Sequence, residues 1–198
     1  MNRTSSRLLA LSAFSLLAVP SFAFFSDSFE EPVITGNFEA FTTGETIGDG
    51  WVVGGTSVDI VSDSAYAVFD GVQAVDLAGT PGPGSINRDF DLSLNPAPLY
   101  KLSFWVNQNG GQPADDLDVS FGSNSYTLSS TGNWTNYTYY LSSTSLGTNP
   151  TLTFGTTESD NSGPIVDMVS VEAVPEPATM LALGAGLAAL ARRRSKRA

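Results

Sequence analysis

The chain has 198 residues, 41% of them hydrophobic, with no cysteine, no histidine and a formal charge of −11. The two missing residue types exclude disulfide stapling, thiol and imidazole nucleophiles, and thiolate or imidazole zinc sites. Most basic residues lie at the two ends, so that from Asp27 to Glu176 all 20 acidic residues face only Arg88 and Lys101, and a nucleic-acid footprint is excluded as well.

Residues 1–23 carry Arg3 and Arg7, an apolar stretch from Leu8 to Val19, then Pro20 and Ser21-Phe22-Ala23. A charged start, an apolar middle and small residues before the cut are the pattern of a secretory signal peptide. Signal peptidase is expected to cleave after Ala23.

From residue 24 to residue 173 the chain alternates short apolar segments with glycine-rich and proline-rich breaks, and no long amphipathic helix interrupts them. Ten strands are predicted: Trp51 to Gly54, Ser57 to Val61, Ala74 to Ala78, Ser85 to Leu92, Leu99 to Asn107, Leu117 to Phe121, Tyr126 to Ser129, Trp134 to Ser142, Thr151 to Gly155 and Ile165 to Glu172. This spacing without βα alternation predicts one all-β domain, an antiparallel β-sandwich of jelly-roll type. A segment of about 150 residues is large enough to fold on core burial alone.

In the strand Leu99 to Asn107, period two puts Tyr100, Leu102, Phe104 and Val106 on one face and Lys101, Ser103, Trp105 and Asn107 on the other. The first set reads as core. Trp105 then faces outward as a stacking platform for a sugar ring, with Asn107 and Gln108 nearby to bond hydroxyls; its alternative is a tryptophan covered by a neighbouring loop. Tyr137, Tyr139 and Leu141 alternate like a second core face. Asp115-Asp116-Leu117-Asp118 lacks the spaced ligands of an EF-hand and reads as a solvated loop. With 20 carboxylates some pair meets any spacing, so a glycoside hydrolase stays a distant alternative to a non-catalytic protein.

The last 25 residues join Val174-Pro175-Glu176-Pro177 to an uncharged run, residues 178–191, and then Arg192-Arg193-Arg194-Ser195-Lys196-Arg197. Such a run makes a helix of about 21 Å, short against a hydrocarbon core of roughly 30 Å, and the arginines hold the cytoplasmic side. Residues 174–198 are therefore expected to form a sorting tail with a transmembrane helix over 178–191, following a domain over 24–173.

This tail resembles the bacterial PEP-CTERM sorting signal over Val174 to Arg197. The resemblance implies recognition by an exosortase, processing near Pro175, Glu176 and Pro177, and only transient membrane insertion. The body resembles the choice-of-anchor C domain through Gly36-Asn37-Phe38-Glu39, Gly50-Trp51, Asp70-Gly71-Val72-Gln73-Ala74-Val75-Asp76-Leu77 and Val166-Asp167-Met168-Val169-Ser170-Val171. That family is similar to galactose-binding-type jelly rolls, which implies a surface domain. It also implies a structural calcium held between Glu39 and Asp167, and structural roles for Trp51 and Trp134. The expectation is an exported, non-catalytic protein of the cell surface or extracellular matrix, structural or adhesive in an exopolysaccharide; the alternative is a calcium-stabilised carbohydrate-binding module.

Overall fold

A computed structural model describes residues 23–110, 115–157 and 162–175. The signal segment before Ala23 and the tail from Glu176 onward, with the expected helix over 178–191 and Arg192 to Arg194, lie outside the described residues. Among the described residues no helix is long and apolar enough to cross a membrane.

In chain order the strands are β1 (Ala23–Asp27), β2 (Phe38–Thr42), β3 (Thr46–Ile47), β4 (Trp51–Gly55), β5 (Ser57–Ser62), β6 (Gln73–Asp76), β7 (Gly84–Asp89), β8 (Leu99–Gln108), β9 (Asp116–Phe121), β10 (Asn124–Ser129), β11 (Thr135–Ser142), β12 (Thr151–Gly155) and β13 (Pro164–Val174). They form two sheets. A seven-stranded sheet runs β11-β8-β13-β6-β5-β2 with β1 added against β13, and a six-stranded sheet runs β10-β9-β12-β7-β4-β3. Every pairing is antiparallel.

The core lies between the sheets because period two turns every second side chain inward. On β8, Tyr100, Leu102, Phe104 and Val106 are all buried, as their alternation requires. Trp51 is wholly buried, with the rings of Phe25, Phe29 and Phe154 between 5.7 and 5.9 Å away. Full burial of a large apolar side chain contributes about 1.5–3 kcal/mol, so a core this rich in aromatics holds the sandwich without disulfides. Tyr137 and Tyr139 pack against this core only in part, while Leu141 is buried.

All ten predicted strands are present, and three more join them. β1 exists because β13 pairs with β6 only at Ile165 and Val166, leaving its later residues an open edge that β1 takes from Val169 onward. The outward face of the seven-stranded sheet is also partly covered: Val61, Ala74 and Ile165 are buried there beneath Tyr66, Val68 and Trp134.

β8 begins at Leu99, paired with Val174, and ends at Gln108, from which the chain crosses to β9 in the other sheet. The start of β9, Gly155 of β12 and Gly84 of β7 therefore lie at the end of the sandwich away from Val174.

Candidate functional site

Trp105 faces outward, but Phe69 lies flat on it, with ring centroids 3.8 Å apart and planes at 18°. This corrects the expectation of a free platform at Trp105: its outer face is covered by the segment between β5 and β6. Asn107 and Gln108 are buried and bonded internally. Asn107 Oδ1 accepts from the Gln108 backbone N–H at 2.9 Å, and Gln108 Nε2 donates to Asp115 Oδ2 at 2.6 Å. The Ser130 hydroxyl donates to Gln108 Oε1. Gln108 thereby braces the β8–β9 crossing, and Asp115 with it is buried where a solvated loop was expected.

Glu39 and Asp167 do not converge. Glu39 stands opposite Ile60, which stands opposite Val75, which stands opposite Val166, so Glu39 shares the face of those core residues. Asp167 is the next residue and points to the other face. β6 and β5 also separate their strands, and three steps of about 4.8 Å make roughly 14 Å, far beyond a shared calcium's reach. Asp167 has another task. Its Oδ2 accepts from the amides of Phe69 at 2.8 Å and Asp70 at 2.9 Å, and its Oδ1 from that of Met168 at 2.6 Å. Burial raises its pKa to about 7 against those three bonds. The pair therefore does not fit a calcium ion, and among the described residues no three carboxylates are grouped to hold a metal.

A pair of buried carboxylates was not anticipated. Asp59 on β5 and Asp76 on β6 are direct cross-strand partners, and both are buried. Asp59 accepts from the amide and hydroxyl of Thr80, while Asp76 accepts from the amides of Ala78 and Gly163 and from the Asn109 side chain. Together they tie three loops to the end of the sandwich away from Val174. Desolvation raises both pKa values, that of Asp76 to about 7. Period two would have put Asp59 and Asp76 in solvent; only knowledge of what covers that face could have found them.

A polar surface with unused bonding capacity lies on the six-stranded sheet. Its outward face is a patch of short polar side chains in register: Thr153 stands between Asn87 and Ser120, and Gly155 between Ser85 and Asp118. An open groove of about 450 Å³ runs over Ser85, Asp118, Ser120, Ser125, Thr153 and the glycines beside them. Glycine is required in this floor. Gly55 turns the chain at φ +70, where an added Cβ would meet Gly84 Cα at 2.8 Å, and a Cβ on Gly84 would collide with the Ser57 backbone carbonyl.

The groove's bonding is half used. Thr127 donates to Asp118 Oδ1 at 2.6 Å, Thr153 to Asn87 Oδ1 at 2.9 Å, and Asn87 to Ser85 Oγ at 3.2 Å. Asp118 Oδ2 and the hydroxyls of Ser120 and Ser125 have no bonded partner among the described residues. Such a surface offers hydroxyl, amide and carboxylate groups to a polyhydroxylated ligand and no cation to a polyanion. No signal in the sequence marks it beyond the Ser/Thr alternation of β10 and β12 and the polar alternation Asp116, Asp118, Ser120 of β9.

Ala23 opens β1 opposite Glu172, and Pro175 directly follows β13. A family model described as "Protein of unknown function (DUF642)" matches residues 24–172, and one described as "PEP-CTERM protein-sorting motif" matches residues 173–196. No curated protein matches the chain. The tandem CBM22-1-CBM22-2 domain of Xyn10C from Paenibacillus barcinonensis aligns with a TM-score of 0.52 at 16% identity, covering 82% of this chain and 48% of that one. The CBM22-1 xylan-binding domain of the same protein aligns at 0.48 and 16% identity, covering 79% and 97%. TmCBM61 in complex with β-1,4-galactotriose aligns at 0.47 and 21% identity, covering 67% and 92%. At these identities the likeness is one of fold, the sandwich of carbohydrate-binding modules.

Proposed function

The chain belongs to the DUF642 family and carries a PEP-CTERM protein-sorting motif, and from this premise we propose that it is an exported, exosortase-sorted surface or matrix protein that holds neutral polysaccharide in the groove of its six-stranded sheet. The observation that carries this reading is the groove itself, where Asp118, Ser120 and Ser125 present unused oxygens beside a glycine floor. Fold alone does not assign a ligand, and the xylan and galactotriose of the similar structures belong to those proteins. The chemistry of the patch fits a sugar chain because each hydroxyl both donates and accepts. With 20 carboxylates in the chain, a neutral glycan is favoured over an acidic one.

Placement supports the same reading. The groove lies towards the end of the sandwich away from Val174, and so at a distance from the point where the sorting tail leaves the domain. Chain termini leave from the end near Val174, and the binding face is free before and after processing. The role is adhesive and non-catalytic.

The test is binding of the mature protein, recovered from its host, to xylan, β-1,4-galactan and the host's own exopolysaccharide. Asp118→Ala and Ser120→Ala remove groove contacts from exposed or half-buried positions. A lost bond to a charged group is worth about 1.5–3 kcal/mol, so Asp118→Ala should weaken binding roughly 10- to 100-fold. Equal affinity in folded Asp118→Ala and Ser120→Ala proteins would remove the groove from the account.

A further inference from the structure

The ring that covers Trp105 is itself uncovered. Phe69 is 41% exposed although it stacks on Trp105 and meets Trp134 edge-on at 5.7 Å. Its segment is pinned at both ends. Asp167 holds the amides of Phe69 and Asp70, and Glu30 Oε1 accepts from the amides of Val72 at 2.9 Å and Gln73 at 3.1 Å. Asp167 is wholly buried, so a carboxylate is kept out of water to hold this short segment against the sheet. What that arrangement presents to solvent is one fixed aromatic face, flanked by exposed Asp70 and by Asn136, which is in register with Trp105.

A rigid aromatic face with polar groups at its rim matches one chemistry well. The axial C–H face of a pyranose stacks on the ring, and its equatorial hydroxyls reach the flanking carboxylate and amide. Phe69 stands on the outward face of the seven-stranded sheet, whereas the groove lies on the outward face of the six-stranded one. We propose that Phe69 is a second pyranose contact, back to back with the groove, and that one copy of the domain thereby links two polysaccharide chains.

This rests on the glycan reading of the groove, and it gives the protein a function that one binding face cannot supply. Two contacts on opposite faces cannot both be filled by one short segment of glycan, since the sheets alone are about 10 Å apart. A linker of this kind raises the connectivity of a matrix without forming any covalent bond.

The experiment uses the mature protein from its host, mixed with xylan, β-1,4-galactan, dextran and the host's exopolysaccharide, and reads binding, light scattering and tryptophan emission together. Trp105 and Trp134 lie against Phe69, so occupancy there should shift their emission. The wild type should bind and raise scattering severalfold. Phe69→Ala, and Phe69→Leu as the variant that keeps apolar cover over Trp105, should still bind through the groove but raise no scattering and give no emission shift. Scattering unchanged in folded Phe69 variants would overturn the linker and leave the groove standing. Loss of all binding in Phe69→Ala, with the Asp118→Ala protein unaffected, would overturn both the groove and the linker. Binding of the wild type without cross-linking would overturn the linker alone, and no binding to any of these polysaccharides would overturn both readings.

Discussion

Asp59 and Asp76 face each other directly across β5 and β6, both buried, and their carboxylates are bonded to amides, a hydroxyl and an asparagine side chain. Two such groups cannot both ionise without mutual repulsion in a poorly solvated site, and Tyr66 close by is itself pushed up, first by burial and then by both carboxylates. Asp76 is raised to about 7 in the fold and returns to the ordinary carboxylate range when unfolded. Between those values the folded chain binds more protons than the unfolded one, so stability falls as pH rises. For Asp76 alone, at about 1.4 kcal/mol per pH unit, the upper bound is a loss of roughly 2–3 kcal/mol from pH 5 to pH 8. Melting temperature should therefore decline over that range, and Asp76→Asn should flatten the decline, with Asn109 turning its amide to keep the bond. A profile equally steep in Asp76→Asn would show that other groups set it.

Asp167 links residues 98 positions apart by accepting from Phe69. Asp167→Ala strands three amides, each costing about 1–3 kcal/mol when buried and unsatisfied, partly offset because no carboxylate is then buried. A net loss of about 2–4 kcal/mol in urea unfolding is expected. Proteolytic nicking between residues 63 and 72 should accompany it, with a red shift of tryptophan emission as Phe69 leaves Trp105. Unchanged emission and unchanged stability would show that the segment holds without its clasp.

Glu39 is exposed on β2, away from Asp167. Glu39→Gln should therefore leave the unfolding free energy within about 0.5 kcal/mol of the wild type, and its response to calcium or chelator unchanged. A calcium-dependent rise in melting temperature present in the wild type and abolished by Glu39→Gln would restore the pair as a site.

The sorting motif match begins at residue 173, where β13 is still paired: Ala173 with Tyr100 and Val174 with Leu99. Processing that keeps the sandwich intact should leave these rungs in the mature protein. Intact mass of protein from the surface and secreted fractions should show loss of residues up to about Ala23 and of the tail beyond about Pro175. A mature species ending before Val174, or a tail retained in the surface fraction, would contradict exosortase sorting as proposed.

What the sequence made legible follows from local periodicity. The ten strands, the core face of β8 and the single sandwich all rest on alternation within ten residues, and the loose motifs ordered from Gly36 to Val171 lie inside the family match. The tail was legible because its parts occur together at one end. Long-range covering was not. Trp105 shows the outward period of a platform, and only the distant Phe69, brought over by Asp167, decides that it is covered. Asn107, Asp59 and Asp76 were hidden for the same reason, since polar residues on an outward face read as solvated until a loop is known to lie over them. The groove was invisible because its signal is registration between strands, as where Gly155 aligns with Ser85 and Asp118.

The most direct test of the account is amide chemical-shift mapping of the mature, isotope-labelled protein titrated with an oligosaccharide released from its host's exopolysaccharide. Binding in the groove should give saturable shifts at Ser85, Asn87, Asp118, Ser120, Ser125 and Thr153 on the six-stranded sheet. Shifts confined to other surfaces, with these residues unmoved, would contradict it.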